Sequence, residues 1–192
     1  MSSTNRGGKR EVSDYYRTPI EDIMSFLRVF DLQTHLLGTL QGADILDPCA
    51  GGDPVRPEMS YPKALELVAN ITGVTTMDIR VDSGATLKQD YLLTPVTQKP
   101  RLIITNPPFV LAQPIIEKAL TEATEWVVML LRLNFFEGAK RRAFWRNNMP
   151  TLAWVHHKRL SFTSDNKTDS IAYRHCCWKV GTSPAFVELR LL

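Results

Sequence analysis

The chain has 192 residues, 44% hydrophobic and 22% charged, with a formal net charge of +3, a size and composition that suit one soluble globular domain. This mild basicity permits a nucleic-acid partner without demanding one, while no apolar run is long enough to span a bilayer and the N-terminus lacks a signal-peptide core. The three cysteines, Cys49, Cys176 and Cys177, are odd in number and lack metal-ligand spacing, so a reduced, cytoplasmic setting and no metal are expected.

Residues 1–12 are small, polar and basic and read as a disordered tail, leaving 13–192 as a single domain. Tyr15-Tyr16-Arg17-Thr18-Pro19 precedes the first helix, with Thr18 as its expected cap and Pro19 at its first position. Ile23, Met24, Phe26, Leu27 and Phe30 form the inward stripe of that helix. Ile45 and Leu46 then close a short strand that ends in Asp47-Pro48-Cys49-Ala50-Gly51-Gly52-Asp53. An acidic residue followed by small ones allows a tight turn with close backbone approach. The carboxylate suits a cationic amino acid moiety, and free N–H groups in the turn suit a carboxylate. Asp53 either points into the site or caps the following turn.

A Pro-rich connector, 54–62, leads to a helix expected to open at Pro62 or Lys63. Val74-Thr75-Thr76-Met77-Asp78-Ile79 reads as a second strand, and a carboxylate at such a strand end receives ribose hydroxyls in doubly wound folds, with Asp78 the choice over Asp82. Gln89-Asp90-Tyr91-Leu92 is placed to meet a nucleoside base.

Arg101-Leu102-Ile103-Ile104-Thr105-Asn106-Pro107-Pro108-Phe109 is the most telling stretch. Its first half is a β-branched apolar run, as in a buried parallel strand. Pro107 and Pro108 stop the strand, and Pro107 biases Asn106 away from helical geometry. The Asn106 side-chain oxygen and the Pro107 carbonyl make two acceptors on a stiff frame, matched to the two donors of a planar amine, with Phe109 available to stack on the flat molecule that carries it. Such a site works by orientation and electrostatics and needs no titrating base.

A helix through Ile115, Ile116, Ala119 and Leu120 follows, then the apolar strand 126–131. Lys140, Arg141, Arg142 and Arg146 share a short helix with Phe144 and Trp145; this is either a phosphate-facing patch or a solvated face. Strand-like runs at 151–157, 170–180 and 186–191 suggest an antiparallel hairpin near the C-terminus. Tyr173, His156, His157 and Trp178 are further candidates for the site wall. The alternation of strands and helices predicts an α/β fold: a doubly wound, mostly parallel, Rossmann-like sheet covered on both faces.

Asp47 with its glycine turn, Asp78, and Asn106-Pro107-Pro108-Phe109 lie on successive strand ends. Their order resembles the class I S-adenosylmethionine-dependent methyltransferases, and the Asn-Pro-Pro-Phe form resembles the small phage and prophage enzymes that methylate adenine N6 in DNA. The resemblance implies S-adenosylmethionine as cofactor, with its methionine part held by Asp47, Pro48, Cys49, Ala50 and Gly51 and covered by Tyr16, Arg17, Thr18 and Pro19. It implies that Asp78 takes the ribose and Asp90 the adenine amine, and that Asn106, Pro107, Pro108 and Phe109 carry catalysis. The implied partner is double-stranded DNA with its target base flipped out, in a bacterium or a phage-infected host, with no membrane and with the protein as a monomer or homodimer. An amine in RNA, a protein glutamine, or a non-catalytic nucleic-acid-binding role on the same scaffold are the alternatives.

Overall fold

The computed structural model describes residues 16–162, 171–182 and 184–192; the expected N-terminal tail lies outside them. The described strands form one eight-stranded sheet of order β3-β2-β1-β4-β5-β7-β6-β8. These are β1 (Ile45–Asp47), β2 (Thr75–Asp78), β3 (Leu87–Lys88), β4 (Leu102–Thr105), β5 (Trp126–Arg132), β6 (Leu152–Val155), β7 (Tyr173–Lys179) and β8 (Glu188–Leu191). Strands β1 to β5 pair in parallel. Strand β7 runs against both β5 and β6, and β8 pairs in parallel with β6. The doubly wound sheet and its antiparallel C-terminal pairing are therefore as the sequence predicts.

The apolar runs are continuous because the sheet is covered on both faces. Successive residues of a strand point to opposite sides. Leu102, Ile104, Trp126 and Val128 pack with α1 (Ile20–Thr34) and α2 (Ser60–Ala69). Ile103, Val127 and Met129 pack on the other side with α3 (Ala112–Glu122), Phe144 and Trp145. The last two belong to the short helix α4 (Arg142–Asn147).

Two helix starts differ from expectation. Helix α1 begins at Ile20 with Pro19 as N-cap and no side-chain cap bond, because proline carries no side-chain acceptor and Thr18 lies one residue outside the cap position. Helix α2 begins at Ser60, so Ser60 and Tyr61 are buried helical residues rather than connector. Pro62 sits in its first turn, where backbone N–H groups have no partner within the helix and a proline costs nothing.

The sheet order reverses direction between β1 and β4. Chain leaving the carboxyl ends of these neighbours diverges, opening the crevice in which open α/β sheets bind ligands.

Candidate functional site

A cleft of about 770 Å³, counted out to its open mouth, lies at this switch point. Its wall includes Tyr16, Arg17 and Thr18, then Pro48, Cys49 and Ala50 after β1, Asp78 at the end of β2, Asp90, and Asn106 and Pro108 after β4. Five stretches far apart in sequence, each expected at the site from its residues or from the resemblance, meet there. Pro19, Asp47, Gly51, Pro107 and Phe109 are not part of the wall.

The Asn106 side chain is held in the cleft by two hydrogen bonds. Its Nδ2 donates one hydrogen to the Tyr16 carbonyl at 3.2 Å and the other to Thr18 Oγ1 at 3.1 Å. A carbonyl only accepts, so the amide is oriented with nitrogen toward Tyr16 and oxygen away. That oxygen, Oδ1, is buried and has no hydrogen-bond partner. The Pro107 carbonyl likewise takes no hydrogen bond from the described residues.

The turn after β1 is stabilised by the protein itself. Cys49 N–H donates to Asp47 Oδ1 at 3.3 Å, Ala50 N–H to the Met77 carbonyl at 2.9 Å, and Gly51 N–H to Asp78 Oδ2 at 2.9 Å. The expectation that these N–H groups stand free for a ligand carboxylate is therefore corrected: folding has used them. The glycines answer to packing against the chain's own backbone. Gly52 has φ +78°, and a Cβ there would lie 2.8 Å from the Gly84 nitrogen and the Pro57 carbonyl oxygen.

Asp47 lies beneath the floor, fully buried, with Oδ2 unpartnered. Burial pushes its carboxyl up to about 7; the neighbouring Thr105 hydroxyl and the Cys49 N–H counter this in part, and the Asp78 charge adds to it. Thr105 Oγ1 is close enough to favour the charged form, yet it has no partner at hydrogen-bonding distance. Asp78 combines two tasks. Its Oδ2 holds the glycine turn, while Oδ1 accepts the Arg80 N–H at 2.8 Å and lies 3.3 Å from Arg80 Nε. Asp90 Oδ1 accepts the Leu92 N–H of its own turn at 2.9 Å.

Asp53 resolves into the second of its two alternatives. Its Oδ1 accepts the N–H groups of Val55 and Arg56 at 2.9 and 2.7 Å, which caps the following turn. These bonds hold its carboxyl below the ordinary range, and it does not line the cleft.

Phe109 packs beside the cleft in a group of rings. The Arg132 guanidinium carbon sits 4.0 Å from its centre, Tyr16 is stacked at 6.2 Å, and Tyr173 lies at 5.8 Å. Tyr16 alone among the described residues of this group also belongs to the cleft wall. His156, His157 and Trp178 do not line the cleft; Trp178 Nε1 donates to the Asn148 carbonyl at 2.8 Å within the core.

Sequence reasoning missed Arg80, Ser60, Tyr61, Leu111 and Ile115 as wall residues. Arg80 follows the strand-end acid by two positions, and that spacing was the available signal. The others became visible only once helices α2 and α3 were placed.

Lys140, Arg142 and Arg146 edge a second, shallow depression with Ala139, Ala143 and Asn147. Arg141 is turned from it, over the Phe135 ring at 4.4 Å and donating to the Glu137 carbonyl at 3.1 Å. Among the described residues no cluster of His, Cys, Asp or Glu is placed to hold a metal ion.

The open α/β sheet with a cleft at its switch point is a fold that solved structures share. The chain is similar to a candidate class I S-adenosylmethionine-dependent methyltransferase from Listeria monocytogenes, with TM-score 0.61 and 15% identity over 92% of this chain. It spans 65% of the length of that protein. A candidate RNA methyltransferase from Pyrococcus horikoshii gives TM-score 0.58 and 17% identity, covering 93% of each chain. A Thermoplasma acidophilum protein gives 0.54 and 16%, covering 84% of this chain and 86% of its own. The fold is thus the one these proteins share. No protein-family model matches the chain, and no curated protein sequence matches it significantly.

Proposed function

We propose that the protein transfers a methyl group from S-adenosylmethionine to the N6 amine of adenine in DNA. The observation that carries the reading is the Asn106 amide: both of its hydrogens are bound by protein, and its oxygen is buried without a partner. An unpaired buried acceptor costs roughly 1–3 kcal/mol. An exocyclic amine bound there relieves that cost with one N–H, and the Pro107 carbonyl takes the other.

The cleft's chemistry fits the cofactor. Asp78 and Asp90 supply acceptors for hydroxyl and amine donors, and Ile79, Leu92 and Leu111 supply apolar wall for a purine. Arg17, ion-paired to Glu58 at 2.7 Å, is the cation at hand for a carboxylate that the glycine turn cannot serve. The buried Asp47, where ionised, favours a cation nearby. When bound, the cofactor would supply an electrophilic methyl on a sulfonium, and the amine nitrogen, on gaining that methyl from sulfur, would lose a proton to solvent.

The chain's residues do the rest by placement. Asn106 and Pro107 direct the amine lone pair, since accepting both N–H hydrogens leaves that pair as the exposed nucleophile. Tyr16 and Phe109 offer aromatic surface beside the amine site for an extruded base. RNA is the second reading, favoured by the likeness to the candidate RNA methyltransferase from Pyrococcus; both acceptors offer the same planar amine.

The test supplies labelled cofactor with DNA, RNA and protein in parallel. Label at adenine N6 in DNA is expected. Asn106→Ala should abolish transfer while cofactor affinity stays within about two-fold, because the amide stabilises the reacting amine and not the donor. Equal loss of both would show that Asn106 holds cofactor instead.

A further inference from the structure

We infer that Thr18 is a positioning residue: its hydroxyl, with the Tyr16 carbonyl, fixes the Asn106 amide so that Oδ1 meets the incoming amine. This rests on the catalytic reading of Asn106 and assigns a role to a residue that the sequence placed at a helix cap or against the cofactor.

The geometry is specific. Thr18 is 2% exposed and lies 88 residues from Asn106 in sequence. Its hydroxyl oxygen accepts from Nδ2 at 3.1 Å, and the Tyr16 carbonyl accepts at 3.2 Å. A primary amide has two N–H hydrogens, and both are thereby committed. An amide rotated by half a turn would set its oxygen against the Tyr16 carbonyl, lone pair to lone pair. The Tyr16 carbonyl therefore excludes that rotamer, and the Thr18 hydroxyl holds the second N–H of the one that remains. The N-cap of α1 is Pro19, which has no side-chain acceptor, so Thr18 stands one residue outside the helix end and its hydroxyl serves the cleft.

The consequence for catalysis is preorganisation. An acceptor already aimed requires no rearrangement as the amine becomes nucleophilic. Losing the Thr18 anchor leaves a buried N–H unpaired and loosens the amide about its remaining bond to the Tyr16 carbonyl.

Thr18→Val keeps the branched shape and deletes the acceptor; Thr18→Ser keeps the acceptor and deletes a methyl. In the full chain, Thr18→Val should lower kcat about ten-fold, the size of one neutral hydrogen bond. Cofactor Kd should stay within about two-fold, and Thr18→Ser should return kcat to within about three-fold of the parent. A readout independent of turnover is the Asn106 side-chain NH2 pair in amide NMR spectra, identified by its loss in Asn106→Ala. In Thr18→Val this pair should shift and exchange faster with water, and in Thr18→Ser it should resemble the parent. An unmoved pair in Thr18→Val overturns the inference, as does a loss of cofactor affinity that matches the loss of kcat. If Asn106→Ala is inactive but Thr18→Val turns over normally, only the positioning role fails. If Asn106→Ala remains active, the functional reading fails with it.

Discussion

Two kinds of buried ionisable residue set the pH response of this molecule, and they act in opposite directions. Asp47 is protonated more readily in the fold than in the open chain, its pKa rising from 3.8 to about 7 through burial. Its contribution to stability is complete below the unfolded value and is lost as pH climbs to about 7. His156 is the reverse: burial lowers it from 6.5 to about 4, with His157 adding to the effect. His175, stacked 3.8 Å from the Phe26 ring and wholly buried, is likewise held well below 6.5 by burial. Their contribution is complete above 6.5 and is lost as pH falls. Between about pH 4 and 6.5 the Asp47 slope offsets that of one histidine, each amounting to about 1.4 kcal/mol per pH unit. Asp47→Asn removes the offset. Urea unfolding at pH 4.5, 5.5 and 6.5 should show the variant losing stability on acidification more steeply than the parent by roughly that slope. Parallel profiles would mean that Asp47 titrates normally in the fold.

At the scale of elements, helix α2 is held in the cleft wall by core packing and by a buried hydrogen-bond chain. Tyr61, in its first turn, shares a hydrogen bond with His175 Nε2 at 3.0 Å, and His175 Nδ1 shares one with His156 Nε2 at 2.9 Å. This buried chain ties α2 to β7 and to the residue after β6. Tyr61→Phe keeps the ring and leaves a buried imidazole nitrogen unpaired, which should cost roughly 1–3 kcal/mol in urea unfolding; a change below about 0.5 kcal/mol would mean that His175 is satisfied without it. The sequence was legible where burial acts through pattern. Ile103 and Ile104 read as strand because a sheet covered on both faces needs apolar residues on both sides. Asn106 read as a site residue because two prolines stop that strand. It was less legible where the determinant is a remote partner. Gly51 looks like a ligand-facing turn until Asp78, 27 residues on, is seen to hold its N–H. Thr18 looks like a cap until Asn106 is found beside it. Strand β3 has two residues, both exposed, and so leaves no apolar signal to read.

Across the whole molecule, charge is arranged more informatively than the net value of +3 implies. The sheet places Asp47 and Asp78 at the ends of β1 and β2, and sends the chain past β5 into the basic segment that ends in α4. Phe144 and Trp145 anchor that helix in the core, which leaves Lys140, Arg142 and Arg146 exposed around one depression. Arg141 serves packing instead, its guanidinium lying over Phe135. A polyanion bound at the depression would release counterions in proportion to the phosphates neutralised. The triple variant Lys140→Glu, Arg142→Glu, Arg146→Glu should therefore weaken DNA binding and reduce the slope of log affinity against log salt by about one unit for each phosphate that is no longer neutralised. Arg141→Ala should leave that slope unchanged and lower stability, since it removes a guanidinium packed on an aromatic face. Fluorescence anisotropy with a short duplex between about 50 and 200 mM salt, limits chosen to resolve the slope, separates the two. Equal slopes for the triple variant and the parent would assign the helix to solvent and move the nucleic-acid surface elsewhere. A slope that falls for Arg141→Ala alone would place the phosphate on the inner side of the segment, at Phe135.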